Sequence, residues 1–380
     1  MRLRHEQVIL LLVLVLVVVG LVVLYSASQE MARVATGDSL RFLKKQMLNA
    51  AVGLAAMLVL WRLDYRIWRR AARILLLASS LGLFVVFLFD AVRGARAWVP
   101  FLGRSIQPVE FVRVALVFFL AAEIVRRGPD LASLRRGFLP LAGIIGAILL
   151  VVIKQNDFGS GMALGLISCT LLYAGGARRL HLGATAVILL LGATAVAVHK
   201  PHVRERIAGF VHPGEHAMDV AYQSTQSVLS IGSGGPFGKG LGNGISKFGY
   251  IPDPHTDFVF AVMGEELGFA GCALVLVLFL LLVARAIRVA RAHEDPFAQL
   301  VAVGTGVSVF WYVAINLAVA LRLFPVTGLP LPFISYGGSS LVSHLLAIGV
   351  LCSVAREVER APGLVGRWPL RRASLLEGGL

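Results

Sequence analysis

Asp257, Glu265 and Glu266 lie in one short stretch, YIPDPHTDFVFAVMGEELG, from Tyr250 to Gly268. A positioned carboxylate can serve as a general base. Pro252 and Pro254 keep the approach extended, because proline fixes φ and disfavours helix in the residue before it. The pattern predicts a helix that starts near Thr256 or Asp257 and runs on through Phe258 to Met263 and Leu267 to Val283. At about 1.5 Å per residue, that is long enough to cross a bilayer. Asp257 then sits where water meets hydrocarbon, open to two roles: a helix N-cap that accepts an orphan amide, or a reacting group. Glu265 and Glu266 fall two turns deeper, where carboxylates face a protein interior or a wet cavity.

The composition supplies a scaffold for such groups. The chain has 380 residues, 57% hydrophobic and 15% charged, with mean hydropathy +0.81. This is a polytopic membrane protein and not a soluble globule. The formal net charge of +15 comes from short basic clusters between apolar spans. A nucleic-acid binder would carry them along one soluble face, so that class is set aside. Cys169, Cys272 and Cys352 all fall inside apolar runs, and their odd number fits no disulfide framework. They read as small buried hydrophobes.

Ten apolar stretches can be followed along the chain. The first, Val8 to Leu24, exceeds the apolar core of a cleaved signal peptide and reads as a retained span. The others run from about Met47 to Trp61, Ile74 to Phe89, Gln107 to Ala122, Phe138 to Ile153, Gly159 to Ala174, Leu182 to Val198, Asp257 to Val283, Ala298 to Val319 and Leu341 to Val354. Residues 1–356 then form one all-α membrane domain and 357–380 a basic tail. Residues 199–256 are the one long polar connection. Ten spans put both termini on one side. About 21 Lys and Arg fall on that side against about 15 on the other, which predicts cytoplasmic termini and an external long loop.

Other polar clusters mark the span ends. Glu110 and Arg113, at i and i+3, can pair on one helix face, either as glue between helices or as part of an anion site. Lys154, Gln155, Asn156 and Asp157 gather between the fifth and sixth spans. The glycine-rich run Ile231 to Gly244 departs from a P-loop, since Gly240 follows Lys239, and it holds no G-x-G-x-x-G. Its backbone amides and Lys239 could approach an anion such as pyrophosphate, or it is a plain connection. His212 and His216 flank Pro213-Gly214-Glu215, which prevents the helix that would align them on a metal. The segment FPVTGLPLPFISYGGSS, Phe324 to Ser340, cannot be a continuous helix. At membrane depth such backbone must be buried in protein or line a cavity.

Taken together, LYSAS in the first span, GARAW (Gly94 to Trp98), QPVEFVR (Gln107 to Arg113), KQNDFGSG (Lys154 to Gly161), YQSTQS (Tyr222 to Ser227), the glycine run, PDPHTDFVFAVMGEELG and PLPFISYGGSS resemble the SEDS family. This is the shape, elongation, division and sporulation group that includes RodA and FtsW. The resemblance covers almost the whole chain and implies a peptidoglycan glycosyltransferase of the bacterial inner membrane, with Asp257 as the family's essential carboxylate. The family usually has a basic residue directly before the tryptophan of its first motif. Here that position is Ala97, with Arg96 one place earlier. In the fourth span the family's usual Lys is Arg113, which keeps the charge and changes the hydrogen-bond geometry.

The substrate so implied is lipid II together with the growing glycan strand, in an outward-facing site. Asp257 would act as general base on the acceptor hydroxyl, and single displacement would invert the anomeric centre. Candidate substrate contacts are Arg96, Trp98, Glu110, Arg113, Lys154, Gln155, Asp157, Gln223, Gln226, Lys239, Lys247, His255, Thr256, Ser335 and Ser339. No organic cofactor is implied. A divalent cation would suit the leaving pyrophosphate, although no ligand set for one can be read. The implied partners are membrane lipids and a class B penicillin-binding protein. A lipid II flippase is the rival reading, since intramembrane charge and a broken helix also suit transport, and a non-catalytic scaffold is a third.

Overall fold

The computed structural model describes residues 4–92, 94–101, 104–211 and 220–360. Its helices are α1 (His5–Thr36), α2 (Arg41–Arg62), α3 (Arg66–Val85), α4 (Pro108–Arg127), α5 (Leu139–Lys154), α6 (Phe158–Ala174), α7 (Arg179–His199), α8 (Pro201–Val211), α9 (Val220–Ser233), α10 (Val259–Ala292), α11 (Pro296–Ala320) and α12 (Gly338–Arg360). Among the described residues the only sheet is a small antiparallel pair, β1 (Val99–Phe101) and β2 (Arg104–Ile106), with Val99 opposite Ile106.

Local chemistry sets several of these boundaries. Pro108 opens α4 at a position where its missing N–H costs nothing. Asp157 caps α6 by accepting from the Ser160 amide, and Asp295 caps α11 by accepting from Phe297. Gly37 ends α1 in the left-handed conformation.

The expected all-α membrane architecture is present. Among the described residues, seven helical segments are long and apolar enough to cross a membrane: α1, α2, Arg66–Leu88, Leu134–Lys154, α10, α11 and Gly338–Val358. Helix α6 and the first part of α7, Arg179–Gly192, are shorter apolar helices. Helix α4 carries Glu110, Arg113, Glu123, Arg126 and Arg127 within its length. Each of the ten apolar stretches falls on a helix.

Helices α4, α11 and α12 form the packed centre, with α2 against α12, α3 against α4, and α10 between α1 and α11. α1 lies directly on the segment before α12. A Cβ at Gly20 would sit 2.3 Å from the Phe333 carbonyl oxygen, so only glycine admits that approach.

Two expectations change. The connection 199–256 is not a plain loop, because α8 and α9 lie within it, with 212–219 outside the described residues. The expected span from Asp257 begins at Val259 and is broken once, at Gly268 (φ 66°, ψ −169°). The basic tail beyond Arg360, and the His212 and His216 pair, also lie outside the described residues.

Candidate active site

Asp257 stands at the top of the bundle, half-buried, in the turn that leads into α10. The N-cap of that helix is Phe258. Asp257 therefore falls one residue outside the capping position that the sequence offered it. Its backbone is fixed instead from α11, where Asn316 Nδ2 donates to the Asp257 carbonyl and to the Leu329 carbonyl, both at 2.8 Å. The Thr256 hydroxyl donates to Asp257 Oδ1 at 2.8 Å. His255 is buried between Phe42 and Tyr336, with ring centroids 4.5 and 5.5 Å away, and its carbonyl accepts the Tyr336 amide at 2.8 Å. Burial raises the Tyr336 phenol above its ordinary pKa, so it stays protonated.

The rim around Asp257 is assembled from segments far apart in sequence. The Gln107 amide donates to Ser339 Oγ at 2.9 Å, and the Gln107 side chain donates to Asp157 Oδ2 at 2.9 Å. Gln46 Nε2 donates to the Ser335 carbonyl, and Arg104 donates to Asn49. Gly159, in the first turn of α6, lies against the Thr327 carbonyl. The non-glycine residues with positive φ among those described are Asn156, Asp253, Arg322 and Phe333, all in these rim segments. For a bulky residue such as Phe333 that conformation is a genuine outlier, and such strain gathers where the surroundings over-determine the backbone.

The candidate contacts divide into two groups. Arg96 and Lys154 are exposed at the rim, joined through the Arg96 amide, which donates to the Gln155 carbonyl at 2.9 Å. Trp98 is half-buried beside them, and Ala97, at the position where the family is basic, is 1% exposed. Arg96 is thus the residue of that motif that faces outward. Gln223 and Gln226 are half-buried on α9, while Ser224, Ser227 and Ser230 are its buried side.

The other group lies inside the scaffold. Glu110 is 0% and Arg113 1% exposed. The guanidinium pairs with Glu110 at 3.3 Å, donates to Ser343 at 2.8 Å and lies 4.9 Å over the Tyr312 ring. This pair ties α4 to α11 and α12 within the bundle. Lys247 is likewise buried and pairs with Glu266 at 2.8 Å, while Lys239, exposed at the surface, pairs with Glu265 at 2.7 Å. Gln155 is buried on the Leu83 carbonyl, Asp157 is a helix cap, and Ser335 Oγ accepts the Leu331 amide.

Sequence reading missed Asn316, Tyr336 and Lys200. Asn316 was findable as the polar residue inside the apolar run of α11. Lys200 Nζ lies 2.5 Å from Asn156 Oδ1 and 5.5 Å over the Phe158 ring, which adds a third cation near Arg96 and Lys154. Only the fold brings it there.

Residues 6–360 match the FtsW/RodA/SpoVE family model, described as cell cycle protein. FtsW of Trichlorobacter lovleyi, a probable peptidoglycan glycosyltransferase, is 37% identical over 362 residues, covering 94% of this chain and 95% of that protein. Stage V sporulation protein E of Bacillus subtilis is 38% identical over 355 residues, covering 92% and 97%. Among solved structures, a chain from a peptidoglycan synthase complex that coordinates polymerization and crosslinking superposes with TM-score 0.77 at 31% identity, covering 93% of this chain and 98% of that one. Motifs, fold and relatives converge, and the chain belongs to the FtsW/RodA/SpoVE family.

Proposed function

We propose that this chain is a peptidoglycan glycosyltransferase that polymerises lipid II into glycan strands. The observation that carries the reading is Asp257: a half-buried carboxylate at the mouth of an apolar bundle, with its backbone fixed by Asn316 and one oxygen held by Thr256. Lipid II has a hydrocarbon tail and a wet, charged head, and this rim offers a surface of each kind.

In the reaction, the acceptor GlcNAc 4-hydroxyl attacks the anomeric carbon of the donor MurNAc. The new O–C bond forms as the C–O bond to the lipid pyrophosphate breaks, and the hydroxyl proton passes to Asp257. Single displacement inverts the anomeric centre. Arg96, Arg104, Lys154 and Lys200 are rim cations available to the leaving pyrophosphate. No group of three His, Cys, Asp or Glu placed to hold a metal occurs among the described residues.

The Lys and Arg distribution supports cytoplasmic termini and an outward-facing site in the bacterial inner membrane. Similarity to a chain from a peptidoglycan synthase complex supports a class B penicillin-binding protein as partner. Relatives of FtsW and sporulation type support the division and sporulation branch.

The test is glycan polymerisation from lipid II by the purified protein in detergent, where no second leaflet exists. Strand formation that depends on Asp257 establishes the reading. A folded protein that makes no strands, alone or with its transpeptidase partner, would overturn it.

A further inference from the structure

The connection from α9 to α10 presents an apolar surface that none of the described residues covers. Phe237 is 84% exposed, and Leu241, Ile245, Phe248 and Tyr250 are exposed with it. This loop is not slack. Glu265 accepts the amides of Ile245 and Ser246, both at 3.0 Å, and Glu266 accepts those of Gly242 at 3.1 Å and Gly244 at 3.3 Å. Lys239 and Lys247 close the clamp through their ion pairs with the same two carboxylates. The apolar side chains therefore project from a fixed backbone.

The clamp also fixes the loop's height in the membrane. Ser26 of α1 donates to Glu266 Oε2 at 2.7 Å. From Val8, where the apolar run of α1 begins, Ser26 lies roughly 27 Å along the helix. Hydrocarbon is about 30 Å thick. From Arg285, the first charge at the far end of α10's apolar run, Gly268 lies roughly 26 Å along that helix. Two neighbouring helices thus place the clamp at the same hydrocarbon boundary.

The apolar surface is, moreover, continuous with a lipid-facing one. The Phe269 and Ala270 amides donate to the Gly235 and Pro236 carbonyls, both at 2.9 Å. This sets Phe237 beside Phe269, which is 77% exposed. Below it Ala270, Leu274, Val277 and Leu281 are exposed at helical spacing on a membrane-spanning segment.

We propose that residues 237–250 form an interfacial anchor whose apolar side chains insert into the boundary of the lipid leaflet beside the site. Aromatic side chains are suited to that depth. The loop is then held by its carboxylate clamp on one side and by lipid on the other.

The experiment uses the full chain, with Cys169, Cys272 and Cys352 replaced, as a single copy in phosphatidylethanolamine and phosphatidylglycerol nanodiscs. Nitroxide labels are placed at Phe237→Cys and Phe248→Cys, with Leu274→Cys as the lipid reference and Arg33→Cys, two turns beyond Ser26, as the water reference. Power saturation should show both loop labels losing access to a water-soluble nickel complex, down to the level of Leu274→Cys, while oxygen access stays high. Nickel access at the level of Arg33→Cys overturns the proposal. So does protection that appears only when a partner protein is added. Where a nitroxide disturbs the loop, Phe237→Trp reads the same depth through quenching by brominated acyl chains, and absence of quenching also overturns it.

Discussion

Asn316 donates to the backbone carbonyl of Asp257 at 2.8 Å from about one turn before the end of α11, and its second 2.8 Å bond goes to Leu329. One amide group thus sets both the turn that carries the carboxylate and the Pro-rich segment facing it. Asn316→Leu removes both bonds from the two carbonyls, at about 1–3 kcal/mol each. The expected outcome is a folded protein with reduced kcat and little change in KM for lipid II, because the carboxylate is displaced and not lost. Unchanged kcat in a polymerisation assay would show that the turn holds its shape without Asn316.

Asp257→Asn keeps size and backbone preference and removes the base. Polymerisation should fall by roughly 10²-fold or more, the usual scale for acid-base catalysis. The thermal unfolding midpoint should stay close to that of the parent. Repeating the assay across divalent-ion concentrations separates a lost base, inactive throughout, from a lost ligand, rescued at high metal. Full activity of this variant would return Asp257 to a structural role.

Lys247 and Glu266 form a pair with both side chains 1% exposed. Lys247→Met leaves Glu266 buried without its cation, and breaking a buried pair in this way costs about 3–5 kcal/mol. A large drop in unfolding midpoint is expected, most of it restored when Glu266→Gln is added, as a double-mutant cycle would show. An unchanged midpoint in the single variant would mean that the clamp contributes nothing to stability.

The proposed orientation predicts opposite labelling at two exposed arginines. Arg204→Cys on α8 should react with an impermeant thiol reagent in intact spheroplasts, and Arg70→Cys on α3 only after permeabilisation. The reverse pattern would turn the molecule over and place the site in the cytoplasm.

Much of this fold was legible because its signals are local. Each apolar stretch became a helix, Gln107-Pro108 marked a helix start, and the interrupted Pro-rich segment before Ser340 was read as a wall. Where charge alone was the guide, the sequence could not show partners. Glu110, Arg113, Lys239 and Lys247 look alike as candidate ligands in a string of letters, since their partners Ser343, Tyr312, Glu265 and Glu266 are brought to them only by the packing of distant helices. The glycine run was read as a loop able to approach an anion, or as a plain connection. Its amides do bind carboxylates, but these are the protein's own.

The break in α10 has a consequence for how this chain can change. At φ 66° and ψ −169°, Gly268 occupies nearly the mirror image of polyproline geometry, a region essentially reserved for glycine. A Cβ there would also meet the Gly238 amide nitrogen at 2.2 Å. Handedness and crowding therefore forbid the same substitution independently, and relieving either one leaves the other in force. No single replacement at this codon has a graded path to tolerance. Drift in the sequence around the site must flow past a fixed point.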